Sequence, residues 1–253
     1  MDYPLLLMSF SVGLLIGLTS MGGATLMGPL LVLVVGVRPV IAVGCNLAYG
    51  AVTKIVGAGM HWRQGGVDFT MVRRLALGSI PGGLAGSFLV TRIARHGIQA
   101  DDQVRRAMGI VLVLVAINML VLIVRGSKEM GNTRHLEFLR GRGAVLLGAL
   151  VGFCVGLTSV GSGSLIAPYL MLIYPNTPAR VVGTDLMHAA LLVTATGLIH
   201  SASGNVDWSL VASLLTGSVP GVLLGSFLAP RLPARLLRLG LAVVLLGTGV
   251  KLI

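Results

Sequence analysis

The stretch "GLTSMGGATLMGPLL", residues 17–31, interrupts an apolar run with a Thr-Ser pair, two glycines and a proline. The device returns at residues 156–170 as "GLTSVGSGSLIAPYL". Shifting the chain by 139 residues aligns 12–92 with 151–231 without a gap, and 32 of the 81 positions are then identical. The identities fall in blocks. Pro29 pairs with Pro168, Val43-Gly44 with Val182-Gly183, His61 with His200, and Val67-Asp68 with Val206-Asp207. "GS-x-PG" recurs from Gly78 and Gly217, and "GSFL" from Gly86 and Gly225. The chain is an internal duplication.

Composition supplies the setting. Hydrophobic residues make up 55 % and charged residues only 11 %, against about 25 % charged in soluble domains. The mean hydropathy is +0.94, and several apolar runs approach the roughly 20 residues a bilayer-crossing helix needs. These runs are continuous, without the polar/apolar alternation of a transmembrane barrel. The net charge of +11 sits mostly in the short polar breaks, where the positive-inside rule and lipid headgroups expect it. There is no aromatic-plus-basic clustering that would suggest base stacking, so membrane lipid and not nucleic acid is the expected surrounding. Cys45 and Cys154 stand alone in apolar segments with no metal-ligand spacing, which predicts packing roles and no metal site. The first residues lack a basic region and a small-residue cleavage motif, so they read as a membrane helix and not a signal peptide.

Each copy holds five apolar elements, predicted over 3–19, 23–36, 40–60, 69–91 and 106–124, then 143–158, 162–174, 179–200, 208–229 and 235–253. The fold class is therefore an all-α polytopic membrane protein of two five-element repeats, 1–124 and 143–253, joined by a basic linker at 125–142. The first two elements of each copy are short. Either all five cross, or the first pair forms a re-entrant hairpin and three cross. Both counts are odd, which turns the second copy upside down, as in the inverted repeats of many secondary transporters. Basic loop residues place the linker in the cytoplasm and both ends of the chain outside.

Irregular backbone at membrane depth is tolerated only inside protein or along a wet cavity. The break also reads as a helix start. Ser20 can cap, Gly22, Gly23 and Ala24 leave the first N–H groups open, and Pro29 follows one turn in. An uncovered helix N-terminus is an anion site. Thr19, Ser20 and Thr25 add hydroxyls in the first copy; Thr158, Ser159, Ser162 and Ser164, with Gly161 and Gly163 between them, do so in the second. Two such termini brought face to face would hold a small oxyanion without a buried Arg or Lys, whose desolvation is expensive. The competing reading is close helix packing through small residues, which suits "GGLAGSF" (82–88) and "GVLLGSF" (221–227) better than the Thr-Ser breaks.

Ionisable residues inside membrane helices are functional candidates by default. Asp185 lies in "VVGTDLMHAALLV" with His188 one turn on, and its counterpart is Asn46 in "AVGCNLAYG". Both are assigned to a central cavity, with Asp185 either a proton-coupling carboxylate or a structural hydrogen-bonding group. Lys54, two turns after Asn46, pairs with Asp185, draws an anion inward, or snorkels toward an interface; snorkelling is the favoured reading. His61 and His200 read as structural residues closing their helices. Pro81 and Pro220 are expected to break the fourth helix of each copy, either as kinks lining the path or as packing bends.

The duplicated "GLTS-x-G" element with its following proline, the "G-x-VDW" turn and the "GS-x-PG...GSFLA" helix resemble the TauE/SafE sulfite exporter family of permeases. The resemblance covers both copies and leaves out only the linker. It implies a secondary transporter in the bacterial cytoplasmic (inner) membrane that moves a small sulfur-containing oxyanion such as sulfite, thiosulfate or an organosulfonate, without an organic cofactor. Two alternatives remain on the residues alone: a passive anion channel, and an intramembrane enzyme pairing Ser162 or Ser164 with His188 or His200. Against the enzyme, no G-x-S-x-G motif is present.

Overall fold

The computed structural model describes residues 3–19, 23–94, 98–125, 139–174, 178–228 and 234–253, and among these it contains ten α-helices and no strand. The first five are α1 (Tyr3–Thr19), α2 (Gly23–Leu33), α3 (Pro39–Arg63), α4 (Phe69–Ala94) and α5 (Ile98–Arg125). A turn kinked at Gly141, Leu139–Gly143, leads into α6 (Ala144–Thr158), α7 (Ile166–Ile173), α8 (Pro178–Ala202), α9 (Trp208–Leu228) and α10 (Ala234–Leu252). Among the described residues, five stretches are long and apolar enough to cross a bilayer: Pro39–Arg63, Asp101–Val121, Arg140–Thr158, Ala179–Ala202 and Trp208–Gly225. Large apolar side chains such as Leu77, Leu146, Leu150, Leu198 and Leu223 stand exposed on the outside. In water such a surface would aggregate; in a bilayer it meets lipid. The chain is an all-α membrane protein.

Two boundaries differ from the sequence expectation. Helix α5 begins at Ile98, well before the apolar run, because the polar first turn is itself anchored. Asp101 suits a helix start and accepts a hydrogen bond from Arg38 Nε at 2.8 Å. Helix α7 begins at Ile166 instead of 162 and has only 8 residues. The chain from 159 to 165 is occupied by turns. At about 1.5 Å per residue, α7 rises roughly 12 Å and α2 roughly 17 Å, against a hydrocarbon core of about 30 Å. Neither crosses on its own.

The helices pair across the copies. Helix α4 lies along α6, α1 along α9, α3 along α8 and α5 along α10. Under the duplication α1 corresponds to α6, and α4 to α9, so the first two pairings are each other's counterparts. The agreement reaches single residues. A Cβ on Gly152 would run into the Ser79 backbone carbonyl, and one on Gly13 into that of Ser218. Gly82 abuts the Ala149 carbonyl as Gly221 abuts that of Phe10, and Gly44 abuts that of Asn205 as Gly183 abuts that of Gly66. Lipid tails are as apolar as leucine, so helices here associate by van der Waals contact, and glycine lets backbones touch.

The connections after α3 and α8 are built alike. Gly65 (φ 71°) and Gly204 (φ 73°) take the left-handed conformation that ends a helix. The next residues return hydrogen bonds to the helix: Gly66 N–H to His61 O at 3.0 Å and Asn205 N–H to His200 O at 2.9 Å. Asp68 and Asp207 then cap α4 and α9, accepting from Met71 N–H at 3.1 Å and Leu210 N–H at 3.0 Å. Each turn is also tied to the other copy's third helix, by Asp68 N–H to Thr184 Oγ1 at 3.0 Å and Asp207 N–H to Cys45 Sγ at 3.2 Å. Pro81 and Pro220 do not interrupt their helices. Both lie inside α4 and α9, which continue through them; a proline frees a single ladder bond, which packed neighbours in a membrane bundle can absorb.

Candidate functional site

Polar side chains from both copies meet around the second Thr-Ser break. Helix α6 ends where Ser159, at φ 58°, takes a left-handed conformation rare for a residue with a Cβ. Its N–H returns to Val155 O at 2.7 Å, and Gly161 follows at φ 100°. This double turn directs Ser159 and Ser162 toward α3 of the other copy. Asn46 Nδ2 donates to Ser159 Oγ at 2.9 Å, and the Lys54 ammonium donates to Ser162 Oγ. Helix α2 closes over the pair at Gly28. A Cβ there would lie 3.2 Å from Ser159 Oγ and 3.3 Å from Asn46 Nδ2. Thr25, buried, is one turn before Gly28 on the same helix.

Helix α8 supplies the opposing charge. Asp185 is 3 % exposed, and the Lys54 ammonium lies within electrostatic reach of both Asp185 and His188. His188 is fully buried, its Nε2 2.7 Å from Ser79 Oγ on α4. Among the described residues, the buried atoms Asn46 Oδ1, Ser164 Oγ, Asp185 Oδ1 and His188 Nδ1 have no hydrogen-bond partner. A buried polar atom without a partner costs about 1–3 kcal/mol. Those on Asn46, Asp185 and His188 lie around the Ser159 and Lys54 contacts and mark a site that is completed by something else.

Several sequence expectations change here. Lys54 does not snorkel; it reaches inward to Ser162, so a lysine does stand at the break. The reason is local: Ser162 Oγ offers an acceptor and Asp185 lies within electrostatic reach. Ser162 does not begin a helix, since the residue before α7 is Leu165 and no side chain caps it. Thr158 is turned back on its own backbone, donating to Cys154 O at 2.7 Å and accepting from Val160 N–H at 3.2 Å. Gly163 accepts from Ala167 N–H at 3.0 Å through its carbonyl. Thr19 and Gly23 are the last residue of α1 and the first of α2, while Ser20 and Gly22 lie outside the described residues. His200 Nε2 sits 3.3 Å from Gly156 O. Neither His188 nor His200 therefore pairs with Ser162 or Ser164. Two contributors were not singled out from sequence, Gly28 and Ser79. The only signal for Gly28 was its place before Pro29, opposite Ala167 in the second copy.

A duplicated helical membrane protein with a polar cluster between its copies has the build of a permease. The family model for the sulfite exporter TauE/SafE matches residues 5–252, and the chain belongs to that family. It is 44 % identical over 256 residues, and over the whole of both chains, to a probable membrane transporter protein, YjnA, of Bacillus subtilis. A second B. subtilis protein of the same description, YdhB, is 27 % identical, with 92 % of this chain and 93 % of the relative covered. A probable membrane transporter protein of Xylella fastidiosa strain 9a5c is 29 % identical, covering 88 % and 83 %. No solved structure gives a significant match. The chain is an integral membrane protein of the transporter class and not an enzyme.

Proposed function

We propose that this chain is a secondary transporter that carries a small sulfur-containing oxyanion, such as sulfite, thiosulfate or an organosulfonate, through a site between its two copies. The observation that carries the reading is the cluster of Lys54, Asn46, Ser159 and Ser162 beside Asp185, with the unpartnered Asn46 Oδ1 and Asp185 Oδ1. Lys54 supplies the attractive charge, and the hydroxyls and the Asn46 amide supply donors. When the anion engages Lys54, Asp185 loses its counter-charge, and the cheapest response at membrane depth is to take up a proton. Anion and proton then move together. The two copies are read as inverted repeats about an axis in the membrane plane; the reciprocal pairings α4 with α6 and α1 with α9 and the odd number of elements support this. The short α2 and α7 support fewer than five full crossings in each copy.

The test is uptake of radiolabelled sulfite, thiosulfate and sulfoacetate into proteoliposomes, with and without a pH gradient. A carrier saturates and shows counterflow. Asp185→Asn is expected to keep counterflow and lose dependence on the gradient. No saturable uptake of any of the three anions would overturn the reading; unsaturable, voltage-following flux would make the protein a channel.

A further inference from the structure

A second polar cluster lies where the kinked turn at Leu139–Gly143 leads into α6. A pocket of about 340 Å³ is lined there by Asp68, Arg74, Arg140, Tyr174 and Arg180, among others. Tyr174 donates to Asp68 Oδ2 at 2.5 Å, and Arg180 Nη2 lies 3.8 Å from the same oxygen. The Arg140 and Arg180 guanidinium carbons sit 5.9 Å and 5.4 Å from the centre of the Tyr174 ring. Arg74 Nη1 donates to the Arg140 carbonyl at 2.7 Å. Three guanidinium groups thus share one pocket with a single carboxylate, whose Oδ1 is already spent capping α4. Like charges held around one ring repel unless an anion joins them.

The duplication shows that the fold does not need this arrangement. The equivalent turn at Asp207 caps α9 through Ser209 and Leu210. There the positions matching Arg74, Tyr174 and Arg180 are Ser213, Val35 and Ile41. The arginines are additions to one copy. We infer that this pocket binds a phosphate oxyanion, carried either on an anionic lipid headgroup or free in solution. Guanidinium forks match such groups two bonds at a time, and a basic pocket at a helix end in a membrane protein is where a lipid phosphate arrives. This site shares no residue with the central one.

Two arms test it on the purified full chain. The first titrates inorganic phosphate calorimetrically in detergent at fixed ionic strength. The second measures thermal unfolding in nanodiscs of phosphatidylcholine alone and with added phosphatidylglycerol. Phosphate binding in the first arm assigns a free anion; stabilisation by phosphatidylglycerol alone assigns a headgroup. In either case the response of Arg140→Gln and of Arg180→Gln should weaken at least about tenfold, the loss expected for one charge-assisted hydrogen bond. Arg74→Gln serves if either misfolds. Arg73→Gln, exposed beside Arg74 on α4 but outside the pocket lining, should respond as the wild type, and so should Asn46→Leu, which disables the central site only. A response equal in wild type and pocket variants, or no response in either arm, overturns the inference.

Discussion

Asn46 of the first copy donates a hydrogen bond to Ser159 of the second at 2.9 Å, so the two copies are joined by a buried polar contact at the break in the membrane helix. The contact leaves Asn46 Oδ1 without a partner among the described residues. Asn46→Leu should therefore remove anion uptake while costing little stability, since it deletes an unsatisfied acceptor along with the donor. Ser159→Ala keeps the shape and loses the acceptor, and should raise the half-saturating concentration by roughly tenfold. Both are read by initial uptake rates and thermal unfolding in detergent. Full uptake by Asn46→Leu would count against this site.

Lys54 and Asp185 offer a test of charge balance. Either charge alone in this environment lacks its counterpart, and removing one partner of a buried pair costs on the order of 3 kcal/mol. Lys54→Met should lower the melting temperature, and Lys54→Met with Asp185→Asn should recover most of it. Neither variant should transport. If the double variant is no more stable than the single one, the two charges are not partners.

The glycine contacts predict opposite outcomes at similar residues. Gly152 and Gly13 each abut the backbone of the facing helix, whereas a Cβ on Gly50 meets nothing within 4 Å. Gly152→Ala must push α6 away from α4 and should cost about 1–3 kcal/mol. Gly50→Ala should be neutral or stabilising by up to about 1 kcal/mol, because alanine loses less freedom on entering a helix. Thermal unfolding of the two variants side by side decides it, and equal effects would count against the packing described.

Asp68 gives a pH dependence whose sign is fixed. Burial works against its charge. The Tyr174 hydroxyl, the Met71 N–H and Arg180 outweigh that and hold the carboxyl below the usual carboxylate range. A carboxyl depressed in the folded state stabilises the protein above its unfolded value, near 3.9, and loses that contribution as pH falls through the folded value. Between about pH 5 and pH 3 the wild type should lose more stability than Asp68→Asn. Parallel acid profiles for the two would remove Asp68 from the account.

Much of this arrangement was legible in the sequence. Continuous apolar runs disclosed helices, and a gap-free register between the copies disclosed the duplication, because gene-level repetition leaves the same glycines at the same helix contacts. Asn46 and Asp185 were conspicuous because polar groups are expensive in hydrocarbon. The direction of Lys54 was not legible. A lysine on a membrane helix can bend outward to headgroups or inward to an acceptor, and only the position of Ser162 in the folded chain chooses. Thr158 looked like a donor, but its hydroxyl reaches its own carbonyl one turn back, a competition sequence cannot adjudicate. The start of α7 was misplaced for the same reason. Ser159 and Gly161 turn the chain twice before the helix resumes.

The glycine contacts between α4 and α6, and between α1 and α9, carry a mechanical consequence. Where backbone rests on backbone, no rotamer can yield, so the surfaces cannot shear past one another without losing contact along their whole length. Each pair must travel as one rigid beam. Any rearrangement of the bundle therefore moves these helices two at a time.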